Sequence, residues 1–225
     1  MRNGWWRTAS VIVSIWFTSH VDAFSKLQAN QSLKHDLQKC VTPVDLLKLV
    51  GSRVTIAADP DGSVSSLALV RLSKQILTLT NQGELIRDDV LEDAASWSQL
   101  ANTLSGVLRQ QLGCSCSGSP TIIINNNNKE VHVEAVKSMA VLGRILPDLQ
   151  TVWKPYMDEF GRNACRLVVG LKSHQLSGLK WAHDCLASDM HPCLQEAYDD
   201  LQLPFRIIPD CLRKKDLSVA GLAAQ

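Results

Sequence analysis

Thr42-Pro43-Val44-Asp45-Leu46-Leu47-Lys48-Leu49-Val50-Gly51-Ser52-Arg53-Val54 is the stretch whose reading decides the fold class. Thr42 is a natural N-cap and Pro43 suits the first helical position. Asp45, three residues after the Thr, answers both the cap and the positive end of the helix dipole. Leu47, Val50 and Val54 then recur at i, i+3 and i+7, a single apolar stripe. The segment reads as an amphipathic helix.

The same grammar repeats outward along the chain. Ala58-Asp59-Pro60-Asp61-Gly62 reads as a turn, with Ser63 as the cap of a second helix. Leu69, Leu72, Ile76 and Leu79 form its stripe, and Asn81-Gln82-Gly83 ends it. A shorter segment covers residues 84–93. Ser96-Trp97-Ser98-Gln99 matches a capping box, followed by Leu100, Leu104, Val107 and Leu108. Gly113 closes that helix. Ala135, Met139, Leu142 and Leu146 resume the helical period. Pro147 opens a short segment through Trp153 and Tyr156, and Leu167, Val168 and Leu171 come next. Ser173 is placed as the cap before Leu179, Ala182 and Leu186. Leu194, Ala197, Tyr198 and Leu201 make a last stripe, and Pro204 and Pro209 are expected to end regular structure. Sustained period-two alternation is absent, so strand readings fail nearly everywhere.

Residues 113–128 break the pattern with Gly-Cys-Ser-Cys-Ser-Gly-Ser-Pro, Thr121, three isoleucines and four asparagines. This is low-complexity punctuation, read as a loop. The isoleucine run is also open to reading as a short strand and is the most aggregation-prone window.

The opening of the chain has a leader's pattern. Arg2 and Arg7 precede an apolar run from Thr8 to Phe17, and Val21-Asp22-Ala23 offers small or medium residues where a signal peptidase reads. Cleavage is expected between Ala23 and Phe24. The Ala23-Phe24 junction resembles the bipartite plastid-targeting leaders of algae with complex plastids. Phe24 to Lys34, poor in acidic residues, would then be the transit peptide. The expected location is the plastid, with the secretory lumen or secretion as the alternative and the mitochondrion behind both. Asn30-Gln31-Ser32 is a glycosylation acceptor triplet, relevant only on the secretory route. No stable membrane insertion is expected once the leader is gone.

The domain plan is therefore 1–23 signal peptide, 24–41 transit-peptide-like or flexible segment, 42–112 helical repeats, 113–128 loop, 129–208 helical repeats, and 209–225 loose tail. The expected fold is all-α: a short α-solenoid of helix hairpins, with an irregular helical bundle as the alternative. Four helices look alike: 63–74, 96–109, 132–145 and 173–186. Taking Leu67, Leu100, Val136 and Leu176 as equivalent, the steps are 33, 36 and 40 residues, the range of helix-hairpin repeats.

Ser96-Trp97-Ser98-Gln99-Leu100-Ala101-Asn102-Thr103-Leu104 resembles the Leu-Ala-Asn helix of FAST-kinase-like and octotricopeptide-repeat proteins. Gln175-Leu176-Ser177-Gly178-Leu179-Lys180-Trp181-Ala182 is similar to a second copy. Leu46 to Val54 followed by Val64 to Lys74 resembles the preceding unit. Glu196-Ala197-Tyr198 with Leu203-Pro204-Phe205-Arg206 is similar to the region after the repeats. The resemblance covers about residues 45–110 and 165–208. It implies an α-solenoid that binds RNA in mitochondria or plastids. Two departures stand out: the insertion at 113–128, and no RAP domain after Arg206.

Composition bounds the function. The chain has 225 residues, is 45% hydrophobic and carries 23 basic against 22 acidic residues. Removing residues 1–23 takes away Arg2, Arg7 and Asp22 and leaves the mature chain neutral, which argues against tight non-specific nucleic-acid binding. A basic stripe could still exist. Arg71, Lys74, Arg109, Lys137, Arg144, Lys172 and Lys180 lie on or beside the repeat-like helices, and Trp97 and Trp181 could stack bases; packing anchors are the preferred reading of both tryptophans. Organellar RNA is the expected ligand and a protein partner the alternative; DNA is not expected.

No catalytic motif is found. Gly-x-Ser-x-Gly, Gly-x-Gly-x-x-Gly and the P-loop pattern are missing, and no enzyme activity or cofactor is expected. Asp88-Asp89 and Asp199-Asp200 read as solvated faces. Seven cysteines are irregularly spaced, mostly read as small apolar helix residues. His174, His183, Cys185, His191 and Cys193 fall close together without a recognised ligand spacing, and no metal site is assigned. Redox or metal roles for Cys114, Cys116, Cys185 and Cys193 stay open.

Overall fold

A computed structural model describes residues 28–84, 88–113 and 126–206. Ten helices and no strand occur among them, so the chain is all-α. They are α1 (28–39), α2 (Pro43–Arg53), α3 (Ser63–Asn81), α4 (Asp88–Glu92) and α5 (Ala94–Gly113), then α6 (Asn126–Ile145), α7 (Leu149–Arg162), α8 (Ala164–Leu167), α9 (Ser173–Cys185) and α10 (Pro192–Arg206). None of the described helices is long and apolar enough to cross a membrane.

The opening stretch folds as its residues dictate. Thr42 is the N-cap of α2, its Oγ1 accepting the Asp45 N–H at 3.1 Å, with Pro43 at the first position. Leu46, Leu47, Val50 and Val54 are all buried.

Two layers result. α2, α5 and α7 pack side by side in one, and α3, α6 and α9 in the other; α10 closes the end against α9 and α8. Helices sharing a layer run in the same sense. Ser66 near the start of α3 donates to the Val131 carbonyl near the start of α6 (3.0 Å). Lys129 in the first turns of α6 donates to the Val169 carbonyl just before α9. At the other end, Gly143 of α6 lies against Leu186 beyond α9. In the first layer Trp97, early in α5, meets Trp153 edge-on at 6.2 Å, and Arg109, late in α5, pairs with Glu159, late in α7. An up-and-down bundle instead sets consecutive helices beside one another in opposite senses.

One apolar core runs between the layers, from Leu33 and Leu37 of α1 to Leu194 of α10. Its largest side chains are Trp97, Trp153, Tyr156 and Phe160. Fully burying each contributes on the order of 2–3 kcal/mol. Gly51 allows α5 to approach α2 closely: a Cβ there would stand 2.5 Å from Ser96 Oγ.

Several expectations are corrected by tertiary contacts. Ser63 does not cap α3. Gly62 occupies the N-cap position at φ 72°, and buried Asp59 reaches back so that its carboxylate accepts the N–H groups of Val64 (3.0 Å) and Ser65 (2.7 Å) and the Ser65 hydroxyl (2.6 Å). Ser96 is not a cap either. Its N–H donates to Asp93 Oδ1 at 3.2 Å, and Gln99 instead donates to the Val54 carbonyl at the end of α2. At α9 the N-cap is Lys172, whose N–H donates to Gln175 Oε1 at 2.8 Å; Ser173 is the first helical residue.

Boundaries shift as well. The 24–41 segment is helical over 28–39 and tied to α2 by an Asp36–Arg53 ion pair of 2.6 Å. The loop expected over 113–128 ends earlier, because α6 begins at Asn126; residues 114–125, with the isoleucine run, lie outside the described residues. α7 extends to Arg162 through exposed Pro155, where water can satisfy the carbonyl that the ring leaves unpaired. α10 runs through Pro204 to Arg206. Finally, the four look-alike helices are not equivalent. α3, α6 and α9 share a layer, but the 96–109 segment is α5, in the other.

Candidate functional site

The outer face of the α3–α6–α9 layer brings three of the expected contact residues together. Lys74 of α3, Lys137 of α6 and Trp181 of α9 line one shallow groove of about 290 Å³ with Val70, Leu77 and Glu134. Helices packed side by side in the same sense put residues at matching heights, which is why positions so distant in sequence meet. The Lys137 stem lies across Gly178, where a Cβ would stand 3.2 Å from its Cδ, and its ammonium pairs with Glu134 at 2.8 Å. Trp181 and Leu77 are large apolar side chains left 42% and 43% exposed.

The remaining candidates do not join this groove. Trp97 is fully buried, with its indole N–H donated to the Val90 carbonyl at 3.0 Å, so it is a packing anchor and cannot stack a base. Arg71 donates to the Cys40 carbonyl at the end of α1 (3.1 Å). Arg109 sits in the other layer, held by Glu159 at 2.9 Å; Arg162 shares that carboxylate at 3.2 Å. Lys172 faces Glu130 at 4.0 Å, Lys180 pairs with Asp184 on its own helix, and Arg144 is exposed in the last turn of α6. A continuous basic groove through Arg71, Arg109, Arg144 and Lys180 is therefore not formed. Asn30 lies in α1 and is only 8% exposed, so a glycan has no access to its amide without displacing the helix. Ala23 and Phe24 lie outside the described residues.

A second concavity, about 850 Å³, opens between α7 and the segment after α9. Trp153, Lys154, Met157, Arg162, His183 and Met190 are among its walls. His183 is buried, its Nδ1 sharing a 3.0 Å hydrogen bond with Ser188 Oγ. Burial lowers its pKa, against the pull of neighbouring Asp184. The pair belongs to a helix C-terminus: the Ser188 N–H donates to the His183 carbonyl (3.0 Å) and the Ala187 N–H to the Asp184 carbonyl (3.4 Å), with Ala187 left-handed at φ 48°. These are the hydrogen bonds of a Schellman motif, built on Ala where Gly is usual.

The cysteines depart from the sequence expectation. Cys165 of α8 and Cys193 of α10 form a disulfide, 28 residues apart in sequence. Cys40 and Cys185 are free thiols. Irregular spacing concealed the pairing, because it depends on α10 folding back against α8.

Comparison with protein-family models, curated proteins and solved structures gives no match to this chain. The fold and surface define an all-α protein of two helical layers with a mixed apolar and basic groove on one outer face.

Proposed function

We propose that this chain is a non-catalytic helical scaffold that binds a protein partner through the outer face of the α3–α6–α9 layer. The observation that carries the reading is the pairing of Leu77 and Trp181, two half-exposed apolar anchors, around a Lys137–Glu134 ion pair. Aromatic anchors rimmed by paired charges suit a protein interface. Phosphate tracking needs cations free of acidic partners, and most of the candidate cations here are already held by carboxylates or carbonyls. The same-sense layers support the stacked-hairpin solenoid, whose repeated outer faces serve recognition.

RNA is the second reading, favoured by Lys74, Lys137 and Trp181 sharing one groove and by the resemblance to octotricopeptide and FAST-kinase-like repeats. Plastid placement belongs with that resemblance and with the leader.

Crosslinking of the native protein with identification of the attached species separates the two. A stoichiometric protein partner that is lost in Leu77→Asp and Trp181→Ala supports the scaffold reading. Crosslinked RNA that is lost in Lys74→Glu and Lys137→Glu, with no stoichiometric protein, replaces it by the RNA reading.

A further inference from the structure

Cys165, His191 and Cys193 place two sulfurs and a ring nitrogen within 4.8 Å of one another at the end of the helical array. Cys165 comes from α8, Cys193 from the first turn of α10, and His191 from the residue just before α10. Tetrahedral zinc takes Zn–S bonds of about 2.3 Å and Zn–N bonds of about 2.0–2.1 Å, so its ligand atoms stand roughly 3.5–3.8 Å apart. In the oxidised chain the two sulfurs are joined in the disulfide and a His191 ring nitrogen stands within 4.8 Å of both, so the sulfurs must part on reduction to reach that spacing. The imidazole is oriented as well, since His191 Nδ1 accepts the Cys193 N–H at 3.3 Å.

We propose that this cluster is a redox-gated zinc site. Oxidised, Cys165 and Cys193 form the observed disulfide. Reduced, the two thiolates and the His191 imidazole bind one Zn²⁺, with water in the fourth position. Two thiolates and one imidazole are a soft donor set that zinc favours over magnesium or calcium.

The chemistry balances in two steps. A dithiol reductant gives two electrons and two protons to the disulfide and itself becomes a cyclic disulfide. The two protein thiols then bind Zn²⁺ through sulfur and release two protons. Access suits this exchange: Cys165 is exposed and Cys193 half-buried, and exposed disulfides are the ones that exchange readily. Residues 188–191 have no regular secondary structure, so His191 has room to adjust as the sulfurs separate. Either state cross-links α8 to α10, and the site therefore keeps the end of the array closed in both redox conditions.

The test uses the full chain, reduced with a dithiol that is then removed, and titrated with Zn²⁺ and separately with Co²⁺ under inert gas. Stoichiometry is read by native mass spectrometry, and thiolate ligation by the cobalt charge-transfer band. The Cys165→Ser/Cys193→Ser double variant controls for the other cysteines. The expected result is one zinc more per chain in the reduced wild type than in either the oxidised protein or the double variant. His191→Ala should weaken that zinc by tenfold or more while still forming the disulfide on oxidation. Equal zinc in the reduced wild type and the double variant overturns the proposal. Unchanged affinity in His191→Ala removes the histidine from the site and overturns the ligand set as stated.

Discussion

Lowering the pH from 7 to 5 should destabilise the fold through His132. This side chain is fully buried in α6, its Nδ1 sharing a 3.0 Å hydrogen bond with the equally buried Tyr156 hydroxyl. Burial disfavours the charged ring and lowers its pKa from 6.5 to about 4. The same burial raises the Tyr156 phenol, which stays protonated and can donate to the neutral imidazole. Above pH 6.5 the ring is neutral in both the folded and the unfolded chain. Below that, the unfolded chain takes up a proton that the fold refuses, so stability is lost as pH falls toward 4. The full gap corresponds to about 3 kcal/mol, of which about 2 kcal/mol falls between pH 7 and pH 5. Urea unfolding at both pH values, on wild type and on His132→Gln, isolates the effect. Glutamine keeps a hydrogen-bonding group near Tyr156 but does not titrate. The variant should shrink the pH 7-to-5 difference by about 2 kcal/mol at unchanged m-value. An undiminished difference in His132→Gln would refute the argument, because other groups would then carry the acid sensitivity.

Four further outcomes follow from the same geometry. Asp59→Ala leaves the Val64 and Ser65 N–H groups without their acceptor inside the fold, and should cost about 2–3 kcal/mol in denaturant unfolding. Ala187→Gly relieves a side chain held at positive φ and should stabilise by about 0.5–1 kcal/mol, raising Tm by a few degrees. Reducing Cys165–Cys193 in metal-free buffer, or replacing both by Ser, frees a 28-residue separation and should cost roughly 3–4 kcal/mol by the loop-entropy relation; an unchanged urea midpoint would show that α10 docks without the staple. Trp97→Ala should cost about 3–5 kcal/mol, whereas Trp181→Ala should change stability by less than about 1 kcal/mol while abolishing partner capture.

The helical class and most helix positions were legible in the sequence because both depend on local rules. A Thr-Pro-x-Asp start and a 3.6-residue apolar period act within one or two turns, and α2 formed as its residues require. The ends of α3 and α9 fell close to their expected positions for the same reason. The caps were less legible. Asp59, Asp93 and Gln175 serve helix starts for which Ser63, Ser96 and Ser173 were expected, because a cap depends on backbone geometry as well as on a suitable residue. Gln99 serves the end of a different helix altogether.

What only tertiary structure decided is which apolar stripes share a layer. Stripes on α3, α5, α6 and α9 look alike in sequence, since burial on one face imposes the same pattern whichever partner supplies it. Packing sent α5 to the layer of α2 and α7, taking Trp97 into the core and Arg109 away from the groove. It also brought α10 back against α8, so that Cys165 meets Cys193 and His191 across a gap in sequence that spacing rules do not bridge. Periodicity therefore determined the elements and the all-α class, while side-chain fit between helices determined the surface, the disulfide and the groove.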